Sequence, residues 1–198
     1  MKWNSFISIM CVLLLPVLSS SAFAAETYTI DKNHTYVLWH IKHFGFSTQA
    51  GKWYASGTLV LDKDKPSNSK VDAVINVADI ATGHAELDKH LKGKLFFDTE
   101  KYPTATFVSD KVDITGDNTA NVHGILTLHG VSKPVTLAVT LNKFAMNPIS
   151  DNMTAGFAAT TEIKRSDFGI KTLLPGLDDD VKIDIGVEAF QPKKDEAA

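Results

Sequence analysis

The chain has 198 residues, 44% hydrophobic and 22% charged, which is the size and composition of one globular domain. Its 20 basic and 23 acidic side chains give a net charge of -3. No block of consecutive basic residues is present, so nucleic acid and a polybasic membrane-binding run are excluded as readings.

The N-terminus reads as a cleaved secretory leader, residues 1–24. Lys2 supplies the positive start, Phe6 to Leu18 is apolar, and Ala22-Phe23-Ala24 is a small-residue cleavage site. The one cysteine, Cys11, lies inside this leader, so the mature chain, 25–198, has no thiol for disulfides, nucleophilic catalysis or thiolate metal sites. Loss of Lys2 moves the net charge from -3 to -4. The expected location is the periplasm, and no later stretch is long and apolar enough to span a membrane.

In Asp31 to Gly57, Val37, Trp39, Ile41 and His43 alternate with Tyr36, Leu38, His40 and Lys42, which predicts a strand with one apolar face. Phe44-Gly45-Phe46-Ser47 breaks the pattern, and Gly51-Lys52-Trp53 starts the returning strand. His43 is expected to be buried among the aromatic side chains. Thr58 to Leu61 extends that strand, and Lys63 to Ser69, with Pro66, is a turn. Val71, Ala73, Ile75 and Val77 alternate again. Residues 84–92 contain good helix formers, with Leu87 and Leu91 on one face and Gly93 placed to end the helix.

Ala105 to Ser109 and Lys111 to Thr115 read as two short strands, and Ala120 to His129 as a longer one. Gly130 to Pro134 reads as a loop. Val135, Leu137, Val139 and Leu141 alternate strictly, as do Phe157, Ala159, Thr161 and Ile163, and then Val181, Ile183, Ile185, Val187 and Ala189. The tail, 192–198, is expected to fray. This spacing predicts an all-β fold, a mainly antiparallel sheet with one short helix near residues 84–92, which closing into a barrel of about eight strands would rid of its edges. Such a barrel can hold one small ligand; periodicity does not separate a filled barrel from a hollow one.

No catalytic motif emerges. Ser132 and Ser166 lack the nucleophile-elbow context, and no nucleotide-binding glycine pattern occurs. His40 and His43 point to opposite faces of a strand, so no metal site is expected. In Arg165-Ser166-Asp167-Phe168-Gly169, Arg165 has two readings. It either holds a polar headgroup at a barrel mouth or pairs with Asp167 or another carboxylate to close the barrel, and the second is preferred. Asp178-Asp179-Asp180 reads as a solvated turn.

From Tyr28 to Phe190 the chain resembles the YceI-like family. The resemblance rests on Asp31-x-x-His34-Thr35, Val37-x-Trp39-x-Ile41-x-His43, Gly51-x-Trp53, Asp88-x-His90-Leu91, Phe96-Phe97-Asp98 and Tyr102-Pro103. It continues through Gly124-x-Leu126-Thr127-x-x-Gly130-Val131-x-x-Pro134-Val135 and the Arg165 to Gly169 run. Leu87 departs from it, replacing a usual arginine. The resemblance implies an elongated antiparallel, lipocalin-like periplasmic β-barrel whose apolar tunnel takes a long polyisoprenoid, quinone-like or similar amphiphilic lipid, with a link to stress responses. The expected apolar contacts are Trp39, Ile41, Phe44, Trp53, Phe96, Phe97, Phe157 and Phe168. The expected polar ones are His43, Arg165 and Asp167, in headgroup or structural roles. No cofactor beyond the lipid and no catalytic residue is expected, and the state is a monomer or homodimer. An enzyme acting on the lipid in the same barrel, and a ligand-free structural protein with a filled barrel, are the alternatives.

Overall fold

A computed structural model describes residues 25–193. The leader, 1–24, and the end of the tail, 194–198, lie outside the described residues. The strands are β1 (Glu26–Ile30), β2 (Tyr36–His43), β3 (Ser47–Leu61), β4 (Lys70–Asn76), β5 (Thr104–Gly116), β6 (Thr119–Leu128), β7 (Val131–Met146), β8 (Met153–Lys164) and β9 (Asp180–Phe190). One helix, α1 (Ala85–Lys92), falls between β4 and β5.

From β2 to β9 each strand pairs antiparallel with the next in sequence. β9 then returns to β2, with Ile185 opposite Val37 and Ile183 opposite Trp39. The result is a closed eight-stranded up-and-down barrel, and closure removes the unpaired edges an open sheet would expose. β1 was not anticipated from the sequence. It continues the course of β2, pairing with the far half of β3 and the end of β9, so β1 and β2 together fill one position in the wall. Thr35 bridges the break between them: its hydroxyl donates to Glu188 O and accepts from Glu188 N, both at 3.2 Å.

Local chemistry corrects several sequence boundaries. The two short strands expected around residue 110 are one strand, β5, carrying a bulge between Ser109 and Lys111. The buried Ser109 hydroxyl there accepts from Val71 N at 2.8 Å. The expected loop at 130–134 is mostly strand. The turn is His129-Gly130, both at positive φ (52° and 75°), the geometry of a two-residue hairpin. Pro134 sits inside β7 opposite Ile125, and β7 pairs with β8 only from Ala138 onward. The missing proline N–H therefore falls where β7 lacks a second neighbour. Phe44 and Gly45 are also at positive φ, in the three-residue turn 44–46 between β2 and β3, and β3 begins at Ser47 rather than Gly51.

The helix lies where expected. His84 caps it, its ring nitrogen accepting from Leu87 N at 3.3 Å. Asp88 accepts from Thr82 N and Oγ1, which holds its carboxyl below the usual range. Leu91 is buried and Leu87 packs partly against the same core. Gly93 ends the helix in an extended conformation (φ -72°), not a left-handed one. Gly57 is a different case. Its φ is +145°, and a Cβ there would lie 2.1 Å from Asp72 O, so only glycine lets β3 pass β4 this closely.

The barrel has two unlike ends. At the helix end lie the β2–β3 turn, α1 and residues 165–179. At the loop end lie the start of β1 and the turns at 62–69, 117–118 and 147–152. The main core cluster, including Trp39, Trp53, Phe96 and Phe168, packs toward the helix end. A smaller cluster around Tyr28, Ile30 and Ala189 packs toward the loop end. Tyr28 is fully buried and donates to Glu26 at 2.8 Å; burial first, then the carboxylate, push its phenol well above the ordinary range.

Candidate ligand cavity

A cavity of about 700 Å³ runs along the inside of the barrel, lined from Leu87 and Phe96 at the helix end to Asp117 and Asn118 at the loop end. Its wall is made by the alternating rows. Leu137, Val139 and Leu141 of β7 and Ile185 and Val187 of β9 point inward yet are only half-buried. Their inner sides face open space instead of a packing partner. That volume is typical of pockets that hold small organic ligands.

Aromatic side chains narrow the helix half. Trp39 and Trp53 lie 5.9 Å apart, and Phe97 meets Trp53 edge-on at 5.2 Å. The Trp39 indole lies across Gly51, where a Cβ would come within 2.2 Å of it. Both indole N–H groups are buried without a hydrogen-bond partner among the described residues. Polar groups gather instead at the loop end, where Asp62, Lys63, Ser69, Lys70 and Asn118 line the rim. Lys63 is bridged to Glu26 at 3.0 Å.

Among the expected site residues, Trp39, Ile41, Trp53, Phe96, Phe97 and Phe157 line the cavity. Phe44 and Phe168 do not. Phe44 occupies the exposed β2–β3 turn, resting on Gly176, because the strand pair ends one residue earlier. Phe168 is 1% exposed and packs into the core outside the cavity. His43 reaches the lining but is exposed rather than buried, since it is the last residue of β2 before the wall ends. The residues that sequence reasoning left out, Leu137, Val139, Leu141 and Ile185, sit in rows whose strict alternation was visible; only their hollow side was not.

Among the described residues Arg165 pairs with no carboxylate side chain. It is 5% exposed and donates to four backbone carbonyls: Nε to Asp178 O (2.7 Å), Nη1 to Ile170 O (3.0 Å) and Thr172 O (2.9 Å), and Nη2 to Leu177 O (2.8 Å). Burial lowers its pKa, with Asp179 and Asp178 opposing. Asp167 is exposed and stands off the cavity. The carboxylate that matters here is Asp179, which accepts from Ser166 N (2.9 Å) and Oγ (2.7 Å). Desolvation raises its pKa, but the Ser166 bonds and the nearby Lys164 and Arg165 prevail and hold it below the usual range. Asp178-Asp179-Asp180 is thus a bonded segment, not a freely solvated turn: Asp180 bridges to Lys164 at 2.6 Å.

The fold and cavity define a hollow up-and-down β-barrel, the architecture in which lipocalins enclose one small ligand. Within that class the chain belongs to the YceI-like domain family, which matches residues 28–189. A Pseudomonas putida relative named UPF0312 protein is 41% identical over 181 residues, covering 89% of this chain and 93% of the relative. The crystal structure of Burkholderia cenocepacia BcnA is similar with a TM-score of 0.71 and 27% identity, covering 80% of this chain and 98% of that one. A polyisoprenoid binding domain from Saccharophagus degradans shares the fold at a TM-score of 0.64 and 16% identity, covering 83% of this chain and 98% of that domain.

Proposed function

We propose that this protein is an exported carrier that sequesters a long-chain amphiphilic lipid of the polyisoprenoid class in its barrel. The observation that carries the reading is the apolar cavity of about 700 Å³ running along the barrel interior. A filled barrel would bury its inward rows fully; here the β7 row stays half-buried. Binding is non-covalent, and each methylene removed from water contributes about 0.8 kcal/mol before ordering costs. The polyisoprenoid binding for which the Saccharophagus domain is named is in keeping with this ligand class. The periplasmic location rests on the leader pattern of Lys2, the apolar run and Ala22-Phe23-Ala24.

Thermal unfolding of the delipidated protein with added polyprenyl lipid tests the reading. A ligand at 100 times its dissociation constant stabilises by about 2.7 kcal/mol. For a domain of this size that raises the midpoint by about 5–11 °C. No shift with polyprenyl phosphate, polyprenol or isoprenoid quinone would refute the proposal.

A further inference from the structure

We infer that the helix end of the barrel docks on the surface of an anionic bilayer, where the lipid is taken up or released. The inference rests on the carrier reading and names the partner of the same cavity. Three segments meet at this end. Phe44 N donates to Gly176 O and Asp178 N to Lys42 O, which joins the β2–β3 turn to residues 171–178. Thr172 Oγ1 donates to Leu95 O, which joins that segment to the loop after α1.

Each segment presents an apolar side chain to solvent. Phe46 is 91% exposed, Leu95 64%, Leu173 53% and Phe44 45%. Phe44 and Leu173 are also held at positive φ (51° and 64°), where glycine or asparagine would fit without strain. Neither side chain finds a buried place in return. The cavity reaches this same surface at Leu173, His43 and His90.

Charge selects the partner. Residues 42–49, 89–95 and 171–176 contain five lysines and no carboxylate: Lys42, Lys89, Lys92, Lys94 and Lys171. None of the five takes part in an ion pair among the described residues. Counted in full, residues 42–49, 85–95 and 165–179 also carry Glu86, Asp88, Asp167, Asp178, Asp179 and Arg165, which leaves this end at +1, six cations against five carboxylates. The loop end also exposes apolar side chains, Ile149 at 93% and Met146 at 56%. There, however, Glu26 and residues 62–70, 116–119 and 147–152 hold five carboxylates against three lysines. Exposed apolar knobs ringed by lysines suit the interface of an anionic membrane; the acidic end does not. No run of basic residues marks the patch in the sequence, because the fold assembles it from three separate loops.

Sedimentation of the purified protein with vesicles tests the inference. Vesicles of phosphatidylcholine and phosphatidylglycerol in equal parts should bind it at least about tenfold more tightly than phosphatidylcholine alone, with the difference lost at high salt. The double variant Phe46→Ser, Leu95→Ser should weaken binding by about tenfold or more, and Lys94→Glu with Lys171→Glu should do the same without touching apolar contacts. Ile149→Ser should bind as the wild type does. Equal binding to both vesicle types, or equal loss with Ile149→Ser, would overturn the inference. So would a dimer dispersed by Phe46→Ser in a protein that ignores vesicles, because a second copy would then be the occupant. A protein stabilised by added lipid that binds no vesicle sinks the docking alone and leaves the carrier reading standing.

Discussion

Replacing Arg165 with methionine separates a structural clip from a headgroup contact. The guanidinium is the shared donor for four carbonyls that fix residues 170–178 across the helix end. Methionine fills much of the same volume and donates nothing. A buried acceptor stripped of its partner costs about 1–3 kcal/mol. Four such losses, offset by no longer burying a cation, suggest a net cost of about 3–5 kcal/mol. For a domain of this size that lowers the unfolding midpoint by about 6–20 °C. Arg165→Lys should fall between, because an ammonium donates from one point and cannot span carbonyls on three sides. The assay is thermal unfolding of lipid-free protein by circular dichroism. A midpoint within about 2 °C of wild type, or a lysine variant as stable as arginine, would refute the clip. Unchanged stability with lost lipid affinity would instead make Arg165 a headgroup ligand.

Three further outcomes follow from the geometry. Val139 points inward between Ala120 and Ala159, so Val139→Trp should occupy the cavity, abolish lipid-induced stabilisation and cost less than about 1.5 kcal/mol in urea unfolding; a filled barrel would lose several kcal/mol or fail to fold. Gly57→Ala should lower stability by about 2–4 kcal/mol in the same assay, since its Cβ would strike the Asp72 carbonyl; a neutral effect would contradict the packing of β3 on β4. Asp179 has a lowered folded pKa, so its contribution is present above the ordinary carboxylate value of about 3.9 and is lost as pH falls through the folded value. Melting curves of wild type and Asp179→Asn should therefore differ near neutrality and converge in acid; a constant gap would argue against the Ser166 bonds as its cause.

The barrel was legible in the sequence because inward rows such as Val135 to Leu141 and Val181 to Ala189 alternate without interruption. What misled was local. Pro134 reads as a loop residue until the missing β8 neighbour is seen, and the bulge beside Asp110 looks like a gap between two strands. β1 is short and has no signal beyond its pairing. The cavity itself could not be read, because Val139 has the same pattern whether its inner side meets a side chain or empty space. Nor could the partners of Arg165: backbone carbonyls carry no sequence signature, so an ion pair with nearby Asp167 was the natural expectation. Phe44 shows the same limit: it stands in the break after the strand pattern, and only the turn geometry reveals that it faces solvent instead of the cavity.

The central claim is that the barrel holds a lipid, and intact-mass measurement of the natively purified protein, followed by solvent extraction of the same sample, tests it most directly. The account predicts a reproducible mass excess matching one long-chain amphiphile per chain, recovered in the extract and absent from Val139→Trp. A protein of bare mass in repeated preparations, with no stoichiometric lipid in the extract, would contradict it.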